Sequence, residues 1–563
     1  MNATSFGKRS HGGARLPHRK HTAGLATVTM PTPQTVTILM SQHIGVPCKP
    51  VVKVGDMVKT GQLIGDSDKL VSAPIYSSIT GKVKAITEVV ADNGSTVEAV
   101  VIAAEGEDTL ADGIAPPKID TLPDFIAAVK ASGLTGLGGA GFPAHVKLNT
   151  LNNVEFLVIN AAECESYITA DYRTLMEESD DVMAGILLVK QKLEIKNVFI
   201  GIEDNKPKAI ELYTKLCESK AGVSVATLRS RYPQGAEKTL IFETTGRVVE
   251  EGKLPSSVGC IVMNVSSVAF LNSYIRTGVP LIKRRLTVDG GAVNQPKNLI
   301  APIGTSVKDI IDFCGGYKEE PKKLLMGGPM MGLALPDDSY PTKKTTNAIL
   351  AFTEKECREA PMTNCIRCAR CVFVCPMSLM PVGIEKAYEA RDVQTLKELK
   401  TNLCIECGSC SYVCPAKRKL VQSIKLGKAL ILEDAKKKSA QKSAEKPAEK
   451  PAEKAEKKAV PEPEKPVAVK AEAEKPAAEK EEKKAAAPAA KVEATTAAIK
   501  ADDKAEKKTA TKKTKADTAK AEAVVEIKED AAKPAPKPRS AKKAKPETEP
   551  SIEAAKAGAD NGK

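Results

Sequence analysis

The 563-residue chain contains no tryptophan, only ten phenylalanines and ten tyrosines, and only five histidines. It also has no apolar run of the roughly 18 to 20 residues that a transmembrane helix needs. No apolar signal-peptide core follows the basic first twenty residues. We therefore expect a cytosolic or peripheral protein that is not secreted. His11, His18 and His21 lie in a basic, loop-like leader that we expect to be solvated or in contact with a partner.

The net charge of +14 arises from 84 Lys and Arg against 70 Asp and Glu, and it is unevenly distributed. Residues 436–563 hold 33 basic and 24 acidic side chains, no aromatic residue and no cysteine. Such a composition cannot bury enough apolar surface to offset chain entropy, so we predict a disordered tail over 436–563. Residues 1–435 are nearly balanced in charge, which argues against nucleic-acid binding. They are long enough for two to four domains.

Eight of the 14 cysteines lie between Cys365 and Cys414, in two copies of one pattern. Each copy has three cysteines separated from one another by two residues, and then, after three intervening residues, a fourth cysteine that is followed by proline. This spacing is typical of ferredoxins with two [4Fe-4S] clusters, in which the fourth cysteine ligates the other cluster. The expected ligand sets are Cys365, Cys368, Cys371 and Cys414 for cluster 1, and Cys404, Cys407, Cys410 and Cys375 for cluster 2.

Four thiolates also suit a structural zinc ion, which is the alternative interpretation of each set. The duplicated three-plus-one spacing with both prolines favours the iron–sulfur clusters. Residues 382–399, between the two copies, have a helical pattern. We therefore predict a small α-helical module with two [4Fe-4S] clusters over residues 351–435.

Apolar periodicity alternates between helix and strand from residue 122 to residue 228, which predicts an α/β domain with a largely parallel sheet over 116–280. A glycine-rich loop, Gly136-Leu137-Gly138-Gly139-Ala140-Gly141-Phe142-Pro143, falls near its start. Backbone amides in such a loop can approach a phosphate because no side chains block them. The loop lacks the Lys-Ser/Thr of a Walker motif and is not a clean dinucleotide fingerprint. Tight packing without a ligand is its alternative interpretation.

The glycine loop and the segments that follow it resemble the flavin and NADH site of the 51-kDa-type subunit of respiratory complex I. The matching segments surround Lys147, Asn160–Glu165, Tyr232–Glu237 and Met263–Val265. Residues 284–316 then look like a β-grasp unit of the soluble-ligand-binding (SLBB) type, within a domain and linker that we place at 281–350. The cysteine module comes after it, in the same order as in that subunit.

Two features distinguish the chain from the complex I subunit. Its cysteine block is built for two clusters instead of one, and a separate domain precedes the flavin region. Residues 1–115, with Val54-Gly55-Asp56 and Gly81-Lys82-Val83, look like a leader and a barrel-sandwich hybrid of the biotinyl/lipoyl type. The spacing around Asp68-Lys69-Leu70 is too short for a lipoyl-lysine turn, so we predict an unmodified domain.

The predicted architecture is multidomain α/β plus β. It consists of a barrel-sandwich hybrid, a Rossmann-like FMN/NADH α/β domain, an SLBB β-grasp domain, an α-helical two-[4Fe-4S] ferredoxin-like module and a disordered tail. This layout resembles the RnfC/RsxC family, whose members belong to the Rnf electron-transport complexes.

The resemblance to these families implies a noncovalent FMN and an NAD(H) site, with roles for thirteen residues. Those implied for the FMN loop are Gly136, Gly138, Gly139 and Gly141, and those implied for flavin contacts are Lys147, Asn160 and Glu163. Phe142 is implied to stack on the nicotinamide nucleotide, Glu165 to hold its nicotinamide end, and Glu237 its ribose hydroxyls. Tyr232, Gly235 and Asn264 are implied to close the flavin pocket. Three positions depart from the complex I pattern, with Leu137 in place of Arg, Ala162 in place of Asp and Ala236 in place of Glu.

The resemblance implies a peripheral subunit of an ion-translocating ferredoxin:NAD⁺ oxidoreductase on the cytoplasmic face of the bacterial cell membrane. A hydride would move between NAD(H) and FMN, and the flavin would pass single electrons to two clusters, with no side chain acting as a catalytic acid or base. The implied partners are the other subunits of the Rnf complex, with a partner iron–sulfur subunit between this chain and ferredoxin. Two alternatives remain, namely a soluble flavin/iron–sulfur NADH reductase of the corrin-reductase type and a nucleotide-free electron-wiring and docking subunit.

Overall fold

A computed structural model describes residues 10–90, 94–150, 153–358 and 360–444. Within these ranges no helix combines the length and the apolar character needed to cross a bilayer. The tail predicted to be disordered lies outside the described residues from position 445 onward.

The first domain consists of two small antiparallel sheets that enclose an apolar core. One sheet has the order β2-β8-β7-β4, formed by Thr35–Leu39, Thr96–Ala104, Gly81–Val90 and Met57–Val58. The other has the order β3-β5-β6, formed by Lys49–Pro50, Leu63–Asp66 and Ile75–Tyr76. Alternate residues of β2, Val36 and Ile38, are buried between the sheets with Ile64 and Ile102. Two packed sheets of short strands match the barrel-sandwich prediction.

The second domain is a four-stranded parallel sheet with helices on its faces. Its strands are β9 (Phe156–Ala161), β10 (Asn197–Glu203), β11 (Val223–Leu228) and β12 (Cys260–Asn264), in the order β11-β10-β9-β12. Its helices are α1 (Leu122–Ala131), α2 (Ala144–Leu148), α3 (Ala170–Glu177), α4 (Ser179–Lys192), α5 (Pro207–Cys217), α6 (Glu237–Thr245) and α7 (Val265–Thr277). Thr121 and Asp124 form a capping box at the start of α1. The parallel α/β arrangement is therefore as the alternating pattern predicts.

The third domain is a six-stranded mixed sheet with the order β1-β14-β13-β17-β15-β16. Its members are β1 (Thr27–Thr29), β13 (Lys283–Asp289), β14 (Lys297–Pro302), β15 (Lys323–Met326), β16 (Leu333–Leu335) and β17 (Ala348–Phe352), with α8 (Val307–Phe313) packed on it. Strand β1 comes from the N-terminal leader and pairs in parallel with β14. The leader therefore adds an edge strand to the sheet of the third domain.

The fourth domain is helical and contains α9 (Arg370–Phe373), α10 (Pro381–Glu389), α11 (Val393–Glu398), α12 (Ser409–Val413) and α13 (Leu420–Ala444). The helix predicted over 382–399 is two helices, because Arg391 adopts a left-handed conformation and Asp392 caps α11 by accepting from the amide of Thr395 at 3.0 Å. Helix α13 also continues past the boundary predicted at residue 435.

Over residues 10–26 the leader forms no helix or strand, and its three histidines, His11, His18 and His21, are exposed. Contact of these histidines with a partner stays a prediction, but the leader is not free of the rest of the chain. The carbonyl of His18 accepts from the amide of Tyr167 at 3.1 Å. The ring of His21 lies 3.1 Å from the carboxylate of Asp289, which is in β13. The leader packs against the second, third and fourth domains through these contacts and through the backbone hydrogen bonds described below.

Candidate FMN and iron–sulfur site

A cavity of about 440 Å³ opens where strands β9 and β12 end, the edge at which open parallel sheets bind ligands. All thirteen residues predicted to bind FMN or NAD(H) line it. These residues are Gly136, Gly138, Gly139, Gly141, Phe142, Lys147, Asn160, Glu163, Glu165, Tyr232, Gly235, Glu237 and Asn264. The fold therefore brings together segments that are more than 120 positions apart in the sequence.

The glycine loop lies against Asn264 at the start of α7. A Cβ on Gly138 would be 2.2 Å from the side-chain nitrogen (Nδ2) of Asn264, so only glycine fits there unless Asn264 shifts. Asn264 caps α7 by accepting from the amide of Ser266 at 2.9 Å and donates to Asp171 at 2.7 Å. A Cβ on Gly139, by contrast, would meet nothing within 4 Å. The loop thus has one packed side and one side with open space next to it.

Lys147 and Glu237 form an ion pair at the cavity wall. The ammonium of Lys147 donates to a carboxylate oxygen of Glu237 at 2.9 Å and to the carbonyl of Val262 at 3.1 Å. Both side chains are partly exposed. A long, partly exposed lysine can turn from this carboxylate to a phosphate, and the carboxylate is then free to accept from hydroxyl groups.

The side chain of Glu163 is buried, and one of its carboxylate oxygens accepts from the amides of Asp171 and Tyr172, at 2.7 and 3.2 Å. These amides belong to the first turn of α3, where a carboxylate is favoured by the helix dipole. Burial raises the pKa of Glu163 to about 7. The structure therefore places this side chain at a helix N-terminus as well as on the cavity wall.

Glu165 joins the second domain to the third. Its carboxylate accepts from the amides of Met330 and Met331 at 3.1 and 3.0 Å. Burial raises the pKa of Glu165 to about 7. Its carboxylate is thus already bound to protein amides at the position where the resemblance implies a contact with nicotinamide.

The cavity wall also includes the fourth domain, through Ile405 and Cys407. The hydroxyl of Tyr232, a buried cavity residue, donates to the carbonyl of Cys407 at 2.7 Å. Asn160 donates to the carbonyl of Gly235 at 3.0 Å, which holds the segment that carries Tyr232 next to β9. The predicted flavin site and the predicted ligands of cluster 2 are therefore adjacent.

The four cysteines assigned to cluster 2 surround one small apolar cavity. Cys375, Cys404, Cys407 and Cys410 all line it, together with apolar side chains that include Leu379 and Ile424. Soft thiolates around a dry space suit a [4Fe-4S] cluster. The residues present therefore fit the cluster that the spacing predicts.

The cysteines assigned to cluster 1 are less enclosed. Burial raises the pKa of Cys371, and the nearby Cys414 raises it further. Cys365 is partly buried, and Cys368 is exposed. Among the described residues, no three His, Cys, Asp or Glu side chains are placed to hold a single metal ion. A cubane separates its thiolates more widely than one ion does, because iron and sulfide lie between them.

Backbone contacts occupy two of the positions that depart from the complex I pattern. The carbonyl of Leu137 accepts from the buried guanidinium of Arg284 at 2.7 Å, and the carbonyl of Ala162 accepts from Lys206 at 2.6 Å. Arg284, Lys206 and Asp171 were not among the predicted site residues. No local pattern marks them, since each is defined by contacts with a distant segment.

Four family models match the chain in the order of its domains. The RnfC barrel sandwich hybrid domain matches residues 8–107, and the Nuo51 FMN-binding domain matches residues 129–273. The SLBB domain matches residues 285–334, and the 4Fe-4S dicluster domain matches residues 360–415. The fold types predicted for these four regions are thus supported by independent family models.

Two relatives cover most of the folded part of the chain. The chain is 44% identical to the C subunit of the proton-translocating ferredoxin:NAD(+) oxidoreductase complex of Clostridium ljungdahlii, over 64% of this chain and 80% of that protein. It is 42% identical to the C subunit of the Na(+)-translocating ferredoxin:NAD(+) oxidoreductase complex of Acetobacterium woodii, over 76% of this chain and 98% of that protein. A solved NAD⁺-reducing [NiFe]-hydrogenase is similar at 17% identity and a TM-score of 0.39, over 57% of this chain and 67% of that one. The family models and the two relatives show that this chain belongs to the RnfC family of ion-translocating oxidoreductase complexes.

Proposed function

We propose that this chain is the peripheral subunit of an ion-translocating ferredoxin:NAD⁺ oxidoreductase that exchanges electrons between NAD(H) and two [4Fe-4S] clusters through a noncovalent FMN. The observation that carries the proposal is the cavity that joins all thirteen predicted cofactor residues to Cys407 of cluster 2. A nucleotide site and an electron acceptor would thereby share one wall. The names of the relatives agree with this activity.

The residues of the cavity match the chemical groups of the proposed cofactor. Amides of the glycine loop and the ammonium of Lys147 would bind the phosphate, and the amide of Asn160 would face polar edges of the ring. Phe142 offers a flat apolar side chain for stacking. When bound, FMN supplies the chemistry that converts a two-electron hydride into single electrons. The protein contributes position and the exclusion of water, since no side chain has to act as an acid or a base in hydride transfer.

The two cysteine sets would have different positions in the electron path. The set of Cys375, Cys404, Cys407 and Cys410 is next to the cofactor cavity and is largely buried. The other set includes the exposed Cys368. We infer that cluster 2 exchanges electrons with the cofactor site and that cluster 1 exchanges them with a partner iron–sulfur subunit on the way to ferredoxin. This chain would lie on the cytoplasmic face of the membrane, and membrane-spanning partner subunits would carry out the ion translocation.

The experiment that tests this function is anaerobic purification of the full chain with reconstitution of flavin and iron. We expect about one FMN and about eight iron per chain, and loss of both flavin and cluster absorbance after addition of NADH. Eight iron with no flavin and no response to NADH would contradict the oxidoreductase function. That result would favour a nucleotide-free electron-wiring and docking subunit.

A further inference from the structure

The N-terminal leader contacts both the segment that carries the cavity residue Tyr232 and the segment that carries Cys375 of cluster 2. The amide of Gly13 donates to the carbonyl of Val374 at 2.7 Å. Ala14 and Tyr232 each donate a backbone hydrogen bond to the other, at 2.7 and 2.9 Å. A Cβ on Gly12 would lie 2.7 Å from the carbonyl carbon of Cys375, so the leader is in close contact with a predicted cluster ligand. The leader therefore contacts both halves of the proposed electron path.

Lys20, at the end of this segment, donates three hydrogen bonds to one loop. Its ammonium lies 2.9 Å from the carbonyl of Glu163, 2.8 Å from that of Glu165 and 2.6 Å from that of Ile168. It also lies 3.7 Å from the carboxylate of Glu163. Residues 162–169 are in neither a helix nor a strand, so these carbonyls lack a partner from regular structure. The charged donor therefore satisfies acceptors that would otherwise be buried and unpaired.

The loop also has an unfavourable backbone conformation that needs such support. Glu163 has a φ of 51° and Tyr167 a φ of 70°, in the left-handed region that residues with a Cβ rarely adopt. Such conformations persist only where the surroundings impose them. Lys20 binds the loop at both of its ends and in the middle, so its removal leaves the loop free to relax. Glu163 and Glu165 would then leave the positions that they have at the cavity.

We propose that Lys20 is a positioning residue of the cofactor site, which holds residues 163–168 in the shape that presents Glu163 and Glu165 to the cavity. The proposal rests on the proposed function, because it assumes that FMN and NAD(H) occupy this cavity. Lys20 does not itself line the cavity and acts through the loop. The N-terminal leader is on this view a part of the cofactor site, although it lies more than 100 positions before the glycine loop.

The test compares Lys20→Met with Arg15→Ala in the full reconstituted chain. Methionine keeps an unbranched apolar side chain and removes the three donors, whereas Arg15 is an exposed cation in the same segment. For Lys20→Met we expect unchanged iron content and an unchanged EPR spectrum of the dithionite-reduced clusters. We expect FMN affinity to fall about tenfold or more, as for the loss of other groups that orient a ligand-binding residue. Arg15→Ala should leave FMN affinity unchanged.

The outcomes separate this proposal from the proposed function. A wild-type chain that takes up no FMN and does not respond to NADH would contradict both. If the wild-type chain binds FMN and responds to NADH, and Lys20→Met binds FMN equally well, only the proposed role of Lys20 is overturned. If Lys20→Met loses iron or does not fold, the role of Lys20 is tested instead by amide hydrogen exchange in the wild-type chain, with and without FMN. FMN should slow amide exchange in residues 18–22 as well as in 163–168, and no slowing in residues 18–22 would overturn the proposal.

Discussion

Glu163 and Glu165 are two largely buried carboxylic acids on one side of a cavity, and each is held by backbone amides. Buried carboxylates are stable only where donors and cations compensate the loss of water. Here the amides of α3 and of Met330 and Met331 supply the donors. Lys20 supplies a cation 3.7 Å from Glu163. At the scale of single residues, the site therefore depends on groups from the leader and from two domains.

The raised pKa of Glu165 makes stability depend on pH. Because burial raises this pKa from 4.5 to about 7, the folded chain keeps a proton that the unfolded chain releases within this interval. The free energy of unfolding should fall as pH rises from about 4.5 to 7, by up to about 3 kcal/mol from this group. Glu165→Gln should reduce this dependence in denaturant titrations at pH 5 and pH 8, and Glu237→Gln serves as a partly exposed control. An unchanged pH dependence in Glu165→Gln would contradict the assignment.

Tyr232→Phe removes the hydroxyl that joins the cavity wall to Cys407. We expect the free energy of unfolding to fall by about 1 kcal/mol, since a buried carbonyl loses its donor. We also expect slower bleaching of cluster absorbance by NADH in stopped-flow measurements. Tyr213→Phe is the matched control, because its buried hydroxyl donates to the carbonyl of Leu175 at 3.2 Å, and Tyr213 does not line the cavity. Equal electron-transfer rates in both variants would contradict the predicted role of Tyr232.

At the scale of elements, the glycine loop, the loop after β9 and the segment before α6 meet at the ends of parallel strands. The loop after β9 and the segment after β11 converge because all strands of the sheet point to the same edge. The glycine loop precedes the first of these strands and reaches the same edge by packing against Asn264, at the end of β12. The loops differ in how much space surrounds them. Gly138 packs against α7, whereas Gly139 has open space on the side where a Cβ would be. Two neighbouring glycines therefore have separable functions.

Gly138→Ala should lower stability, whereas Gly139→Ala should weaken FMN binding without a change in stability. In Gly138→Ala the new methyl group collides with Asn264, and we expect a loss of about 1 to 3 kcal/mol of unfolding free energy from overpacking. In Gly139→Ala we expect unchanged stability but weaker FMN binding, because the methyl group enters the space proposed for the cofactor. Denaturant titration and flavin fluorescence measure the two quantities. Full FMN affinity in a stable Gly139→Ala variant would place the flavin elsewhere.

At the scale of the whole molecule, the leader and several domains are arranged around one cavity. The second domain supplies most of the wall, the third supplies the amides that bind Glu165, and the fourth supplies Cys407. Strand β1 and Lys20 fasten the leader to the third and second domains. Truncation of any of these parts should therefore affect a site that the sequence analysis places within residues 116–280.

Substitution of one cysteine from each set should distinguish the order of the clusters. Cys375→Ser and Cys368→Ser should each lower the iron content from about eight to about four per chain. In Cys368→Ser, NADH should still reduce the remaining cluster, because cluster 2 adjoins the cavity. In Cys375→Ser, NADH should reduce the flavin but should leave the remaining cluster oxidised. The EPR spectrum after addition of NADH shows whether the remaining cluster is reduced in each variant. Reduction of the remaining cluster in Cys375→Ser would contradict the proposed order.

The amino-acid sequence alone was enough to predict the kinds of domain, their order and the residues that line the cavity. The cysteine spacing, the glycine run and the alternation of helix and strand are local signals set by neighbouring residues. The residues of the cavity and the barrel-sandwich and SLBB domains were instead implied by the resemblance to known families. The boundaries were less well predicted, since α13 continues past residue 435 and the helix predicted over 382–399 breaks at Arg391.

Which domains share the cavity emerged only from the packing of the folded chain. Ile405 and Cys407 at its wall, the amides that bind Glu165 and the three carbonyls that bind Lys20 are contacts between segments more than 100 positions apart. No local pattern encodes such a contact, because it results from how the domains pack and not from the periodicity of any one segment. The sequence of the leader predicted a basic, loop-like segment that is solvated or in contact with a partner. Only packing placed its Lys20 against the loop that carries Glu163 and Glu165.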